Sequence, residues 1–252
     1  MGQLRELGRL GRGVRVRTVM PWFGPSVETV ERRILSAWRR GDAEGQERIA
    51  AKYARRRPDE PRAWVLWGNV RVKTRNYSGA ETVLREGLRL HPSADPDIGW
   101  LLARALAAQD RQEEAASVLE QQMRVFPRSS LPYLGLLTLA VRRGDWDEAV
   151  RLADETAART PDDDYAGKHE LAYELLHIPS RWQDGLSLLR PIAADLQEPG
   201  PTLLLVGTVL ERIGDPEATR FIDQARKAWD APIPFETALA ERRGYLGEHL
   251  PS

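Results

Sequence analysis

Between Pro61 and Pro92 the chain sets its large apolar and small residues at helical spacing, in two runs divided by a polar stretch. The first run carries Trp64, Trp67 and Gly68; the second carries Ala80, Leu84 and Gly87. Steps of three and four residues return a side chain to the same helical face, so the pattern predicts two helices joined by a turn. Glycine inside a helix costs about 1 kcal/mol relative to alanine. Gly68, directly after Trp67, therefore predicts a point where two helices approach closely.

The spacing recurs along the chain. Pro58, Pro92, Pro127 and Pro161 are 34, 35 and 34 residues apart, and Ala80, Ala115 and Ala149 are 35 and 34 apart. Gln46 holds the alanine's place one unit earlier, and Gly185 and Ala218 hold it later. Gly41-Asp42, Gly144-Asp145 and Gly214-Asp215 mark turns, and an aromatic opens several of the second helices: Tyr77, Trp146 and Trp182. A period of this length predicts stacked helix pairs, none of which buries its apolar face alone. Six units result: about 27–60, 61–94, 96–129, 130–163, 166–198 and 200–232. Unit five has Gln197 in place of the proline, and unit six is one residue shorter in its turn.

Trp64, Trp67-Gly68, Arg71, Ala80, Leu84 and Pro92 resemble the tetratricopeptide repeat, W-x2-L-G-x2-Y followed by A-x3-F and P. Trp67 stands for the Leu, Arg71 for the Tyr and Leu84 for the Phe. The resemblance covers about four-fifths of the chain. It implies an all-α, right-handed superhelical solenoid of about six helix-turn-helix repeats with a C-terminal capping helix. Residues 1–26 form a basic N-terminal arm, read as extended, disordered or docked. Residues 27–232 form the solenoid, and 233–252 the capping helix and tail. Pro234 stands near that helix's start, with Phe235, Leu239 and Leu246 placed to cover unit six.

The resemblance also implies that the first helix of each unit lines a concave groove, with exposed positions near places two, five, nine, twelve and thirteen. Carried over, the groove residues are Trp38, Arg39, Arg62, Val65, Asn69, Val72, Lys73, Trp100, Arg104, Leu134 and Arg142. Trp38 and Trp100 suit either the groove or packing against neighbouring helices. The family's two-carboxylate clamp uses Lys at place five, Asn at place nine, and Asn at place six of the next unit. Only Asn69 matches; Val65 and Leu101 occupy the other two places. What remains is apolar and aromatic anchors beside arginine, the composition of interaction hot spots. The partner it suits is a peptide segment or helix with apolar anchors and acidic flanks.

Charge adds an asymmetry. The 252 residues balance to zero, but residues 1–90 carry +10 and residues 91–252 carry −10. Opposite halves allow head-to-tail self-assembly into a scaffold. The arm, with five arginines and one acid, suits nucleic acid or an anionic membrane surface, or is a plain tail ahead of a start at Met20. Thirty-three arginines against four lysines are the bias of a GC-rich, bacterial genome, and the expected compartment is the cytoplasm.

Catalytic chemistry finds little support. Without cysteine there is no thiolate metal site, disulfide or cysteine nucleophile. Glu174 and His177 have the spacing of a di-iron Glu-x-x-His pair, but no second set matches, and a solvated helix face is the reading adopted. Asp162-Asp163-Asp164 lacks the glutamate a calcium loop needs and fits a helix cap. GRLGRG at residues 8–13 is not a dinucleotide fingerprint. The expectation is a non-catalytic, cofactor-free adaptor or scaffold. The alternative is nucleic-acid or anionic-surface binding through the basic N-terminal half.

Overall fold

The computed structural model describes residues 25–196 and 199–249, with side chains to residue 244. The arm through residue 24, Gln197 and the Leu246 side chain lie outside the described residues. Everything regular among the described residues is helical. α1 (Val27–Arg39) pairs with α2 (Ala43–Arg56), and α3 (Pro61–Lys73) with α4 (Tyr77–Leu90). α5 (Pro96–Ala107) pairs with α6 (Gln112–Val125), and α7 (Leu131–Arg143) with α8 (Trp146–Ala157). α9 (Tyr165–Leu175) pairs with α10 (Trp182–Ile192), α11 (Pro199–Arg212) with α12 (Ala218–Lys227), and α13 (Phe235–His249) closes the stack. No described helix is long and apolar enough to cross a membrane.

The turns inside the helix pairs repeat one backbone device. Gly41, Arg75, Asp110, Gly144 and Gly214 all have φ between +59° and +72°. The first four are spaced 34, 35 and 34 residues apart, the period of the prolines. The residue after each of the first four stands at the N-cap of the next helix, and in three of them its side chain accepts an amide three residues on. Asp42 accepts from Gly45 N at 2.7 Å, Asn76 from Gly79 N at 3.1 Å and Asp145 from Glu148 N at 3.4 Å. These caps satisfy amides that helix starts leave without a partner. Asp164 does the same for Gly167 N at the head of α9, at 2.8 Å.

Arg75 carries a Cβ in a left-handed conformation that costs an L-residue about 1–2 kcal/mol. Glycine removes that strain and gives back part of the gain as unfolded-state entropy. Arg75→Gly is therefore expected to stabilise the protein by about 0.5–1 kcal/mol, read as a higher urea midpoint. An unchanged or lower midpoint would mean that Arg75 sits in this turn without strain.

Helices of odd number form the inner layer: α1 packs on α3, α3 on α5, α5 on α7 and α7 on α9. Each even-numbered helix from α2 to α10 sits outside, between its own partner and the next odd helix. The core runs along the seam between the layers. Ala80, Ala115 and Ala149, all fully buried, let the outer helices close in, while Leu84 and Leu119 fill the space beside them. A Cβ at Gly68 would stand 2.3 Å from Leu84 Cδ2, so the predicted close approach is α3 against α4. At the C-terminal end Ala238 and Leu239 of α13 are buried against α11, and Phe235 meets Trp229 edge-on, ring centroids 5.3 Å apart.

The segment after α12 reaches back to the first helix pair. Arg39 Nε lies 2.8 Å from Asp230 Oδ2, and Pro232 sits over the Gly41 turn. A residue of the basic half and one of the acidic half thus pair within one chain.

Candidate partner-binding groove

α3, α5, α7 and α9 present their inner faces to two cavities of about 750 and 660 Å³. Both are lined by Lys73, Trp100, Arg104 and Glu170, so they form one continuous trough. The inner-layer helices supply most of its lining, and Tyr77 at the head of α4 and Trp146 at the head of α8 add to it.

The sequence-derived residues divide on contact with this geometry. Asn69, Lys73, Trp100, Arg104 and Arg142 line the trough. Val65, Val72 and Leu134 line it too but are 4%, 9% and 3% exposed, so they are core residues that offer an edge rather than free anchors. Arg62 also lines it, already held by Asp97 of α5 at 2.8 Å and Glu31 of α1 at 3.2 Å. That bridge ties three inner helices together. Burial first, then the neighbouring Asp95 charge, push the Asp97 carboxyl up, and Arg62 opposes them. Trp38 and Arg39 line neither cavity, and Arg39 is paired with Asp230 instead.

Trp100 serves both roles considered for it. The half-buried ring packs against two core clusters, and its face carries the Arg104 guanidinium, 4.7 Å from the ring centroid. Such stacking contributes about 0.5–1 kcal/mol at an exposed site. Asn69 is half-buried, and its side-chain amide makes no hydrogen bond among the described residues. Arg142 donates to the Ala107 carbonyl at 3.1 Å. Among the described residues no carboxylate lies within 4.0 Å of Lys73, Arg104 or Arg142.

The opposite wall is acidic, and here the solvated-face reading of Glu174 and His177 needs correction. Glu170, Glu174 and His177 of α9 all line the 750 Å³ cavity. His177 Nδ1 lies 2.7 Å from the Tyr173 carbonyl, and its ring sits against Tyr173. Glu174 Oε1 lies 2.8 Å from Thr138 Oγ1 of α7. Withdrawal from water pushes the Glu174 carboxyl up to about 7; the Glu170 charge adds to this, while the Thr138 contact, Arg104 and Arg142 oppose it. Burial raises Glu170 as well. The His169 hydrogen bond and the Arg104, His169 and Lys73 charges outweigh it and hold that carboxyl below its ordinary range. Glu170 and Glu174 occupy places five and nine of their repeat. These are inner positions that the resemblance implies for the groove, as is His177 at place twelve.

No family model matches the chain, and no curated protein matches it. Solved structures do. Yeast Tom70 superposes with a TM-score of 0.59 at 13% identity, over 84% of this chain and 46% of that one. The APC/C hetero-tetramer Cut9–Hcn1 gives 0.50 at 18% identity, over 88% and 43%. The chain thus spans less than half the length of either. At such identities the likeness is one of fold. The fold class is an all-α solenoid of the tetratricopeptide-repeat type.

Proposed function

We propose that this protein is a non-catalytic adaptor that holds a partner's peptide segment or helix in the α3–α9 trough. One observation carries the reading: Asn69 with a free amide stands in the same trough as Trp100 and three cations without a carboxylate partner. A free amide can meet a partner's backbone, an aromatic ring its apolar anchor, and the cations its acidic flanks. In this reading residues 27–232 are the binding solenoid, 233–252 its cap and 1–26 an arm outside it. The arginine-rich composition supports a bacterial source, and the cytoplasm is the compartment proposed with it.

The test is a pull-down from the native host's lysate, with and without nuclease, using wild type and an Asn69→Ala/Arg104→Glu double variant. Neither side chain takes part in a hydrogen bond or ion pair among the described residues, and the lost Arg104–Trp100 stack costs only about 0.5–1 kcal/mol, so the variant is expected to keep its circular dichroism with a slightly lower melting temperature. The expected result is a protein captured by wild type, insensitive to nuclease, and lost with the variant. Nucleic acid retained by both baits would move function to the basic N-terminal half. Self-capture abolished at high salt would instead indicate head-to-tail assembly.

A further inference from the structure

Thr138 Oγ1 lies 3.0 Å from the Leu134 carbonyl oxygen and 2.8 Å from Glu174 Oε1. A hydroxyl has one hydrogen, and a backbone carbonyl can only accept. Both contacts are satisfied when Glu174 is a carboxylic acid: its O–H donates to Thr138 Oγ1, which donates to Leu134. An ionised Glu174 can take the Thr138 hydrogen, the contact that opposes the upward shift, only in competition with Leu134. The position of Glu174 in the hollow, with Glu170 one helical turn away, favours the neutral acid.

The charged and titratable groups facing Glu174 can be named element by element. Arg104 comes from α5, Arg142 from α7, and Glu170, Tyr173 and His177 from its own α9; Lys73 of α3 acts on Glu170, and Tyr77 of α4 lines the same cavity. α8 contributes uncharged Trp146 to this cavity, and α10 contributes no lining residue. With Glu174 ionised, three cations face two carboxylates. With Glu174 protonated they face one, and the wall becomes receptive to an anion.

We propose that the trough takes an acidic partner segment against Lys73, Arg104 and Arg142, and that Glu174 must be a neutral acid for this segment to dock. This rests on the groove reading above and adds to it the partner's charge and the residue that gates it. Linkage fixes the direction. A partner carboxylate beside Glu174 disfavours its ionised form, so docking retains or takes up a proton, and affinity falls as pH rises. One unit of further upward displacement in the complex corresponds to about a tenfold loss of affinity across the titration.

The probe is a fluorescent peptide of about twelve residues, blocked at both ends, with leucine anchors separated by glutamates. Its glutamates stay ionised between about pH 6 and 8.5. Anisotropy at constant ionic strength would compare wild type, Glu174→Gln and the Asn69→Ala/Arg104→Glu variant. A lysine-for-glutamate peptide serves as control. Carbon-13 NMR of the glutamate carboxyls in the free wild-type protein reads Glu174 directly, its signal assigned by loss in Glu174→Gln.

The expected result is a wild-type affinity that weakens about tenfold over this range, while Glu174→Gln keeps the low-pH affinity throughout. The Glu174 carboxyl signal should titrate near neutrality. Any pH effect from His177 is common to both proteins and cancels in the comparison. Equal pH profiles for the two proteins, or a Glu174 signal titrating in the ordinary carboxyl range, would overturn the proton coupling. Peptide binding that still disappears with the double variant would leave the groove reading standing. Failure of the acidic peptide to bind at pH 6, or equal binding of the lysine peptide, would overturn the acidic-segment assignment itself.

Discussion

Replacing Gly68 by alanine is expected to destabilise the protein by about 1–3 kcal/mol, although alanine is the better helix former. The added Cβ would stand 2.3 Å from Leu84 Cδ2 and 2.6 Å from its Cγ, inside any tolerable contact. Leu84 is fully buried, so it has no open space into which to turn. Gly68→Leu adds further methylenes to the same contact and should cost more. Leu84→Ala alone should cost about 2–5 kcal/mol by leaving a cavity. The two alanine changes act on one space, so the double variant should be more stable than their sum by about 1 kcal/mol or more. Urea unfolding of the four proteins measures this cycle. Additive losses, or a Gly68→Ala protein as stable as wild type, would show that the α3–α4 approach does not depend on this glycine.

Glu174→Gln is expected to raise stability above neutrality and to leave it nearly unchanged in acid. Below about pH 4.5 the carboxyl holds its proton folded or unfolded, and the two proteins behave alike. As pH rises the unfolded chain releases the proton first, while the folded protein keeps it until about pH 7. Wild-type stability therefore falls across that window and then levels off; the glutamine protein has no such fall. Water in the open trough screens the effect, and the gain at pH 8 should be about 1–2 kcal/mol. Melting temperatures at pH 5 and pH 8 check it. A gain of equal size at both values would point to packing rather than ionisation.

Much of the fold was legible in the sequence because packing repeats impose a period. The prolines, the alanines and the glycines of the turns each report one steric requirement per unit, and the requirement is local. Even Arg75 and Asp110, which break the glycine pattern, fall at the turn position that the spacing marks. The trough was legible in part. Position within the repeat brought Asn69, Lys73, Trp100, Arg104 and Arg142 to it. The same rule gave Trp38 and Arg39, which line neither cavity, because the rule cannot see the far end of the chain returning to Arg39 through Asp230. Position within the repeat also puts Glu174 on the inner face, but does not show its withdrawal from water. Its surroundings come from Thr138, 36 positions earlier, and from Arg104 and Arg142, so no window of its own helix contains them.

The sequence by itself determined the number of helix pairs, the approach of α3 to α4 at Gly68 and the residue types on the inner face. These depend on contacts within a unit or with its neighbour, which a fixed period encodes. Only the tertiary structure decided that Arg62 is bound between Glu31 and Asp97, that Val65, Val72 and Leu134 belong mainly to the core, and that Glu174 lies in a half-dry wall facing three cations. The curve of the stack sets how deep each inner position lies and which charges face one another. Solvation and Coulomb energies follow from those distances, and a linear pattern of residues does not contain them.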